Sequence, residues 1–180
     1  MLATRSDSST IDRIAGKEDA MKRLLWMTAI ATLFAATNPA ARVLAQNADP
    51  LSGTWELDLA KSKFSGPAPK SQTRTYDVAG DSVNLTSKGV SAEGKPTAVQ
   101  FNARFDGKDY SITGLPDADT IALKKIDDFR GTATLKKNGK VTTTNTRTIA
   151  KDGKTMTIKS KGTDAKGEKI DDVWVFVKKR

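Results

Sequence analysis

The chain has 180 residues, 37% of them hydrophobic, and carries 30 lysines and arginines against 21 acids for a net charge of +9, with no cysteine and no histidine. The missing thiols exclude disulfide staples, thiolate metal sites, a thiol nucleophile and a lipoprotein anchor. The missing imidazoles remove the usual general base and the commonest transition-metal ligand.

Residues 1–20 are polar, charged and without periodicity, and are expected to be unstructured, as a true extension or the result of a start codon assigned too early. Met21 opens a second beginning. Lys22-Arg23 forms a basic segment, 24–36 is an apolar run broken only by Thr28 and Thr32, and Asn38-Pro39 leads to the small-residue signature Val43-Leu44-Ala45. This pattern is that of a secretory signal peptide over 21–45, with an expected N-terminal helix. Its 13-residue span 24–36 falls short of the roughly 20 that cross a bilayer as a helix. The expected product is residues 46–180, periplasmic or extracellular in a bacterium, with no stable membrane insertion after cleavage. The first 45 residues hold six bases and four acids, leaving 24 against 17, or +7, for that product. Its bases alternate with acids along turns such as Asp106-Gly107-Lys108-Asp109 and Lys151-Asp152-Gly153-Lys154. Nucleic acid, which demands a clustered basic patch, is therefore not an expected partner.

From Leu51 onward the pattern has period two, punctuated by Gly, Asp and Asn. It predicts strands at 53–59, 72–78, 82–88, 98–105, 110–113, 120–126, 130–137, 140–149, 155–160 and 172–178. The one long connection, 60–71, is rich in Pro, Lys and Ser and reads as a coil across a barrel mouth. Short strands joined by tight turns predict an all-β domain, a single antiparallel up-and-down barrel of about 8–10 strands, because closure removes unpaired sheet edges.

Alternation assigns inner faces: Val83 and Leu85; Val99, Phe101, Ala103 and Phe105; Tyr110 and Ile112; Ile121 and Leu123; Ala133 and Leu135; Met156 and Ile158. The last strand is apolar on both faces, with Val173, Val175 and Val177 alternating with Trp174 and Phe176. It is expected to be covered on both sides or to present an apolar stripe to a partner. Strand 140–149 sets Thr142, Thr144, Thr146 and Thr148 on one face and Val141, Thr143, Asn145, Arg147 and Ile149 on the other. If the second face is internal, Asn145 and Arg147 point into the barrel.

Shifting the sequence by 73 residues superposes Thr73-Arg74-Thr75 on Thr146-Arg147-Thr148 and gives nine identities in 22 positions without a gap. A duplicated three-strand unit explains this. Hairpin grammar explains the matching glycines but not Thr-Arg-Thr. Under duplication Arg74 shares the inward direction of Arg147. An internal guanidinium costs several kcal/mol unless an anion or good hydrogen bonds meet it, which makes Arg74 and Arg147 candidates for gripping a carboxylate or phosphate. The simpler, default arrangement turns both outward or pairs them with an acid such as Asp77.

The segment Leu51-Ser52-Gly53-Thr54-Trp55-Glu56-Leu57 resembles the Gly-x-Trp opening of the calycin superfamily, which contains lipocalins, fatty-acid-binding proteins and avidins. The resemblance extends to exported bacterial lipocalin-like proteins of unassigned function, through Ser52 to Trp55, Lys63-Phe64 and the Lys-Asp-Gly-Lys-Thr-Met-Thr turn at 151–157. It implies that Trp55 plugs one end of the barrel beneath a late basic residue, Arg147 or Lys178. The chain departs from the fatty-acid-binding pattern in two places. Residues 60–71 are too short and proline-rich for a helical lid, and the last strand offers Trp174 and Phe176 where that pattern has an Arg and a Tyr.

The acid pairs Asp171-Asp172, Asp127-Asp128 and Asp117 with Asp119 sit beside turns, where aspartate supports the turn. No catalytic or metal residues and no cofactor are assigned. The sequence points to a non-enzymatic binding module, holding a small lipophilic or amphipathic ligand on Arg74, Tyr110, Asn145 and Arg147. The alternative is a structural or interaction protein of the cell envelope whose barrel is filled with side chains.

Overall fold

A computed structural model describes residues 49–164 and 166–180 of the chain. The expected leader and N-terminal extension lie outside the described residues. Ten strands follow in order: β1 (Gly53–Leu57), β2 (Ser71–Ala79), β3 (Ser82–Val90), β4 (Pro96–Arg104), β5 (Asp106–Thr113), β6 (Thr120–Lys125), β7 (Arg130–Lys137), β8 (Lys140–Ile149), β9 (Thr155–Thr163) and β10 (Lys169–Lys178). Each pairs antiparallel with its sequence neighbour, and β1 pairs with β10, so the sheet is a closed barrel. The helical structure among the described residues is one 3-10 turn, Leu59–Lys61. None of those residues forms a helix long and apolar enough to cross a membrane.

The assigned inner faces pack together. Val83, Leu85, Phe101, Ala103, Ile112, Ile121, Leu123, Leu135, Met156 and Ile158 are buried in one cluster, joined by Leu51, Trp55, Tyr76, Ile149 and Phe176. Burying a large apolar side chain contributes about 1.5–3 kcal/mol, so this cluster is the principal source of stability in a domain without disulfides.

Trp55 on β1 is fully buried. Its indole N–H donates to the Leu51 carbonyl at 2.8 Å, and the Lys178 ammonium lies 5.0 Å from the ring centroid and donates to the Pro50 carbonyl at 3.1 Å. The capping base is therefore Lys178 and not Arg147. Gly53 makes room for it: its φ is +116°, and a Cβ there would meet Lys178 Cε at 2.9 Å. The entering chain is fixed by Asp49, which accepts from the Leu51 N–H and pairs with Lys125 at 3.0 Å.

The connection after β1 is more ordered than a coil. The 3-10 turn interrupts the edge, after which Lys63 pairs antiparallel with Val173 and the Ser62 hydroxyl accepts from the Val175 N–H at 2.9 Å. The closing seam is thus extended along β10, and Val175 on the outer face is buried while Val177 stays 40% exposed. Ser65 fastens the end of this segment, donating from its N–H and its hydroxyl to Asp172.

Trp55→Ala is expected to cost about 3–5 kcal/mol in urea denaturation, and Lys178→Met about 1 kcal/mol, because the first removes a fully buried ring and the second only its cation–π cap. A Trp55→Ala loss below that of Lys178→Met would overturn this ranking.

Candidate functional site

Inside the barrel is a cavity of about 180 Å³, walled by apolar side chains such as Leu85, Phe101, Ile112, Leu123 and Ile158, with Gln72, Arg74, Asn145 and Arg147 as its polar groups of greatest reach. Among the described residues no carboxylate lines it. Both arginines face inward, so the default outward arrangement, with pairing to Asp77, is overturned. The strand parity explains it. Tyr76 is buried and Arg74 stands two residues before it on β2; Ile149 is buried and Arg147 stands two residues before it on β8.

Arg147 is largely enclosed. Its Nε is buried without a hydrogen-bond partner, as is Asn145 Oδ1, and among the described residues it makes no ion pair. The guanidinium carbon lies 5.8 Å from the Phe105 ring centroid. Burial pulls its pKa below the ordinary arginine range, with Tyr76 and Asp49 acting more weakly in the opposite direction. The neighbouring strand leaves room for it: a Cβ on Gly131, opposite Arg147 in the ladder, would come within 3.0 Å of Arg147 Nη2.

Arg74 is held differently. Its Nε donates to Gln72 Oε1 at 3.1 Å, and its guanidinium rests 4.8 Å from the Phe176 ring centroid and 5.7 Å from that of Trp174. Phe64 meets the Trp174 ring edge-on at 4.6 Å. Gln72 belongs to this group although the sequence reading did not single it out. Its place two residues before Arg74 was the available signal.

Tyr110 is not part of the group. Its ring packs against the core, but its hydroxyl donates to Asp106 at 2.9 Å and it does not line the cavity. Desolvation first, then the Asp106 hydrogen bond, raise the phenol pKa above the ordinary tyrosine value. Of the acids weighed for chemistry, two serve turns: Asp127 accepts from the N–H groups of Phe129 and Arg130, and Asp119 from that of Asn138. Asp171 and Asp172 lie within β10 instead of beside a turn, and Asp172 accepts from Ser65.

The two halves related by the 73-residue shift show the same construction. The β3–β4 pairing aligns Gly89 with Thr97, and β9–β10 aligns Gly162 with Ile170, positions that correspond under the shift. A Cβ at either glycine would collide with the carbonyl oxygen of a residue on the preceding strand, Ser71 or Thr142. Close backbone approach explains the paired glycines, and the shared inward direction of Arg74 and Arg147 is what duplication anticipates.

No family model, curated protein or solved structure matches the chain. The chemistry of the site is therefore that of its own groups: an apolar chamber with two guanidinium groups and a buried amide oxygen free to receive a hydrogen bond.

Arg147→Met is expected to stabilise the ligand-free protein by about 1 kcal/mol or more, since it replaces an unpaired buried charge with a side chain of similar volume. A depressed basic pKa makes folding stability rise with pH only where the unfolded arginine holds its proton more firmly than the folded one. Near neutrality both states remain charged, so the gain should be constant from about pH 6 to 8 in urea titrations. A destabilised variant would contradict the reading. Separately, ultraviolet titration of Tyr76→Phe, which leaves Tyr110 as the single tyrosine, should show ionisation above the ordinary range. Adding Asp106→Asn should lower that midpoint, and an unmoved midpoint would exclude the hydrogen bond as a cause.

Proposed function

We propose that this is an exported, non-enzymatic binding protein whose barrel holds a small amphipathic acid, with the acid group on Arg147 and the apolar body in the chamber. The observation that carries this reading is the buried Nε of Arg147, which faces the cavity side of β8 without a partner. A guanidinium in an apolar interior is costly when unpaired and is the side chain best shaped for two-pronged contact with a carboxylate or phosphate. A ligand that brings the anion offsets that cost on binding.

The buried Asn145 Oδ1 adds a condition. It accepts a hydrogen bond, so a ligand with a hydroxyl or amide N–H near its acid group gains a further contact. The cavity of about 180 Å³ sets the size. A chamber of roughly 150 Å³ admits benzene, so the apolar body is about one six-membered ring or a short alkyl chain. The room inside also counts against a barrel packed solid with side chains for a purely structural role. Export rests on the leader pattern at 21–45, and kinship with the calycins on the Gly53-Thr54-Trp55 opening.

Calorimetric titration with benzoate and octanoate is the test. Binding in the micromolar to millimolar range is expected, with Arg147→Met weakening it about tenfold or more, equivalent to about 1.4 kcal/mol. Tryptophan emission should change in step with the heat and lose that response in Trp174→Phe, because Trp174 lines the cavity. No heat and no emission change with either acid would refute the reading.

A further inference from the structure

The cavity contains two cationic groups on opposite sides of one apolar space, and this goes beyond what a single acid group requires. β2 and β8 are separated around the ring by β1, β10 and β9 on one side and by five strands on the other, so Arg74 and Arg147 approach the chamber from different walls. Neither has an ion-pair partner among the described residues, and no Asp or Glu lines the space they share. Arg147 is enclosed and Arg74 half-buried, and like charges facing one apolar space repel. One anion on Arg147 leaves Arg74 uncompensated.

Arg74 is built as a receiving group. Its Nε is engaged by Gln72 and its plane is supported by the Phe176 and Trp174 rings, which fixes the guanidinium while leaving its terminal N–H groups without a hydrogen-bond partner among the described residues. Pre-positioning of this kind lowers the ordering cost of capturing an oxyanion. Arg147 is set by Gly131, whose missing Cβ leaves space against Nη2.

We infer that the ligand is a compact diacid, with an anionic group at each end of a short apolar spacer, one on Arg74 and the other on Arg147. This inference rests on the binding function proposed above and specifies its ligand class. Dicarboxylates and a phosphate joined to a carboxylate share the required chemistry, and the spacer is limited to about one ring by the cavity volume.

The test compares matched probes on the full chain by calorimetry: terephthalate against benzoate, and suberate against octanoate, with 4-phosphonobenzoate to separate phosphonate from carboxylate recognition. The diacids should bind at least tenfold more tightly than their monoacid partners. Arg74→Met should abolish the advantage of each diacid over its monoacid partner. Thermal melts establish that each variant folds, and Arg74→Lys, which keeps the charge and loses the planar fork, should give an intermediate diacid affinity. Equal binding of monoacids and diacids by the unmodified chain, or equal weakening of both by Arg74→Met, overturns the diacid inference and leaves the single-acid function standing. Absence of binding by every probe overturns both.

Discussion

The pairing of β1 with β10 is the contact that turns a meandering ribbon into a vessel. Without it the inner residues of ten strands would share one open face, and the edges at β1 and β10 would both be unpaired. The seam is reinforced on both sides. Within, the buried Trp55 ring lies against Lys178 of β10; beyond the 3-10 turn, Lys63 takes up pairing with Val173. Both devices act on the C-terminal strand, whose apolar inner and outer residues would otherwise be hard to reconcile with a surface position.

Closure gives the arginines their meaning. On an open sheet Arg74 and Arg147 would be solvated and energetically unremarkable; inside the ring they border an apolar chamber with no acid in its wall. A hydrophobic residue at either place would serve packing better. Their presence, together with the unpartnered Asn145 Oδ1, is the departure from an ordinary core, and departures of this kind concentrate where a protein holds something. The Gln72 hydrogen bond and aromatic support spare Arg74 part of the cost that Arg147 bears in full.

Much of this fold was written in period-two alternation. Val83 and Leu85 announce their inward direction because their neighbours are polar, and the ten strands overlap the segments that pattern placed, although β5 begins at Asp106, inside a stretch that reads as a turn. The direction of Arg74 and Arg147 was less legible. On β8 one face is all threonine and the other mixed, so hydrophobicity alone does not rank them. The tie is broken by tertiary neighbours, Ile149 and the β9 ladder. Val141 was placed with Asn145 and Arg147, yet it is 58% exposed, because the register shifts between Leu135 and Lys136 and a shift of one residue reverses the faces. Tyr110 was misassigned for a related reason: alternation gives the side of the sheet for the ring and does not say which partner the hydroxyl reaches. The Lys63 bridge was hidden by the 3-10 turn before it, which breaks the period that reveals strands.

One seam of the wall is thinner than most, shorter even than the three-residue pairing that closes β1 on β10. β4 and β5 share only the pairs Gln100 with Thr113 and Phe101 with Ile112, whereas β3 and β4 are zipped along nine residues. Fewer cross-strand hydrogen bonds mean a lower local cost of parting, and Val99, Phe101, Ile112 and Leu115 beside this seam all belong to the chamber lining. Parting the wall there costs less than parting it along β3 and β4, so the first local opening of the closed sheet falls beside the chamber and leaves the buried Trp55 ring in place.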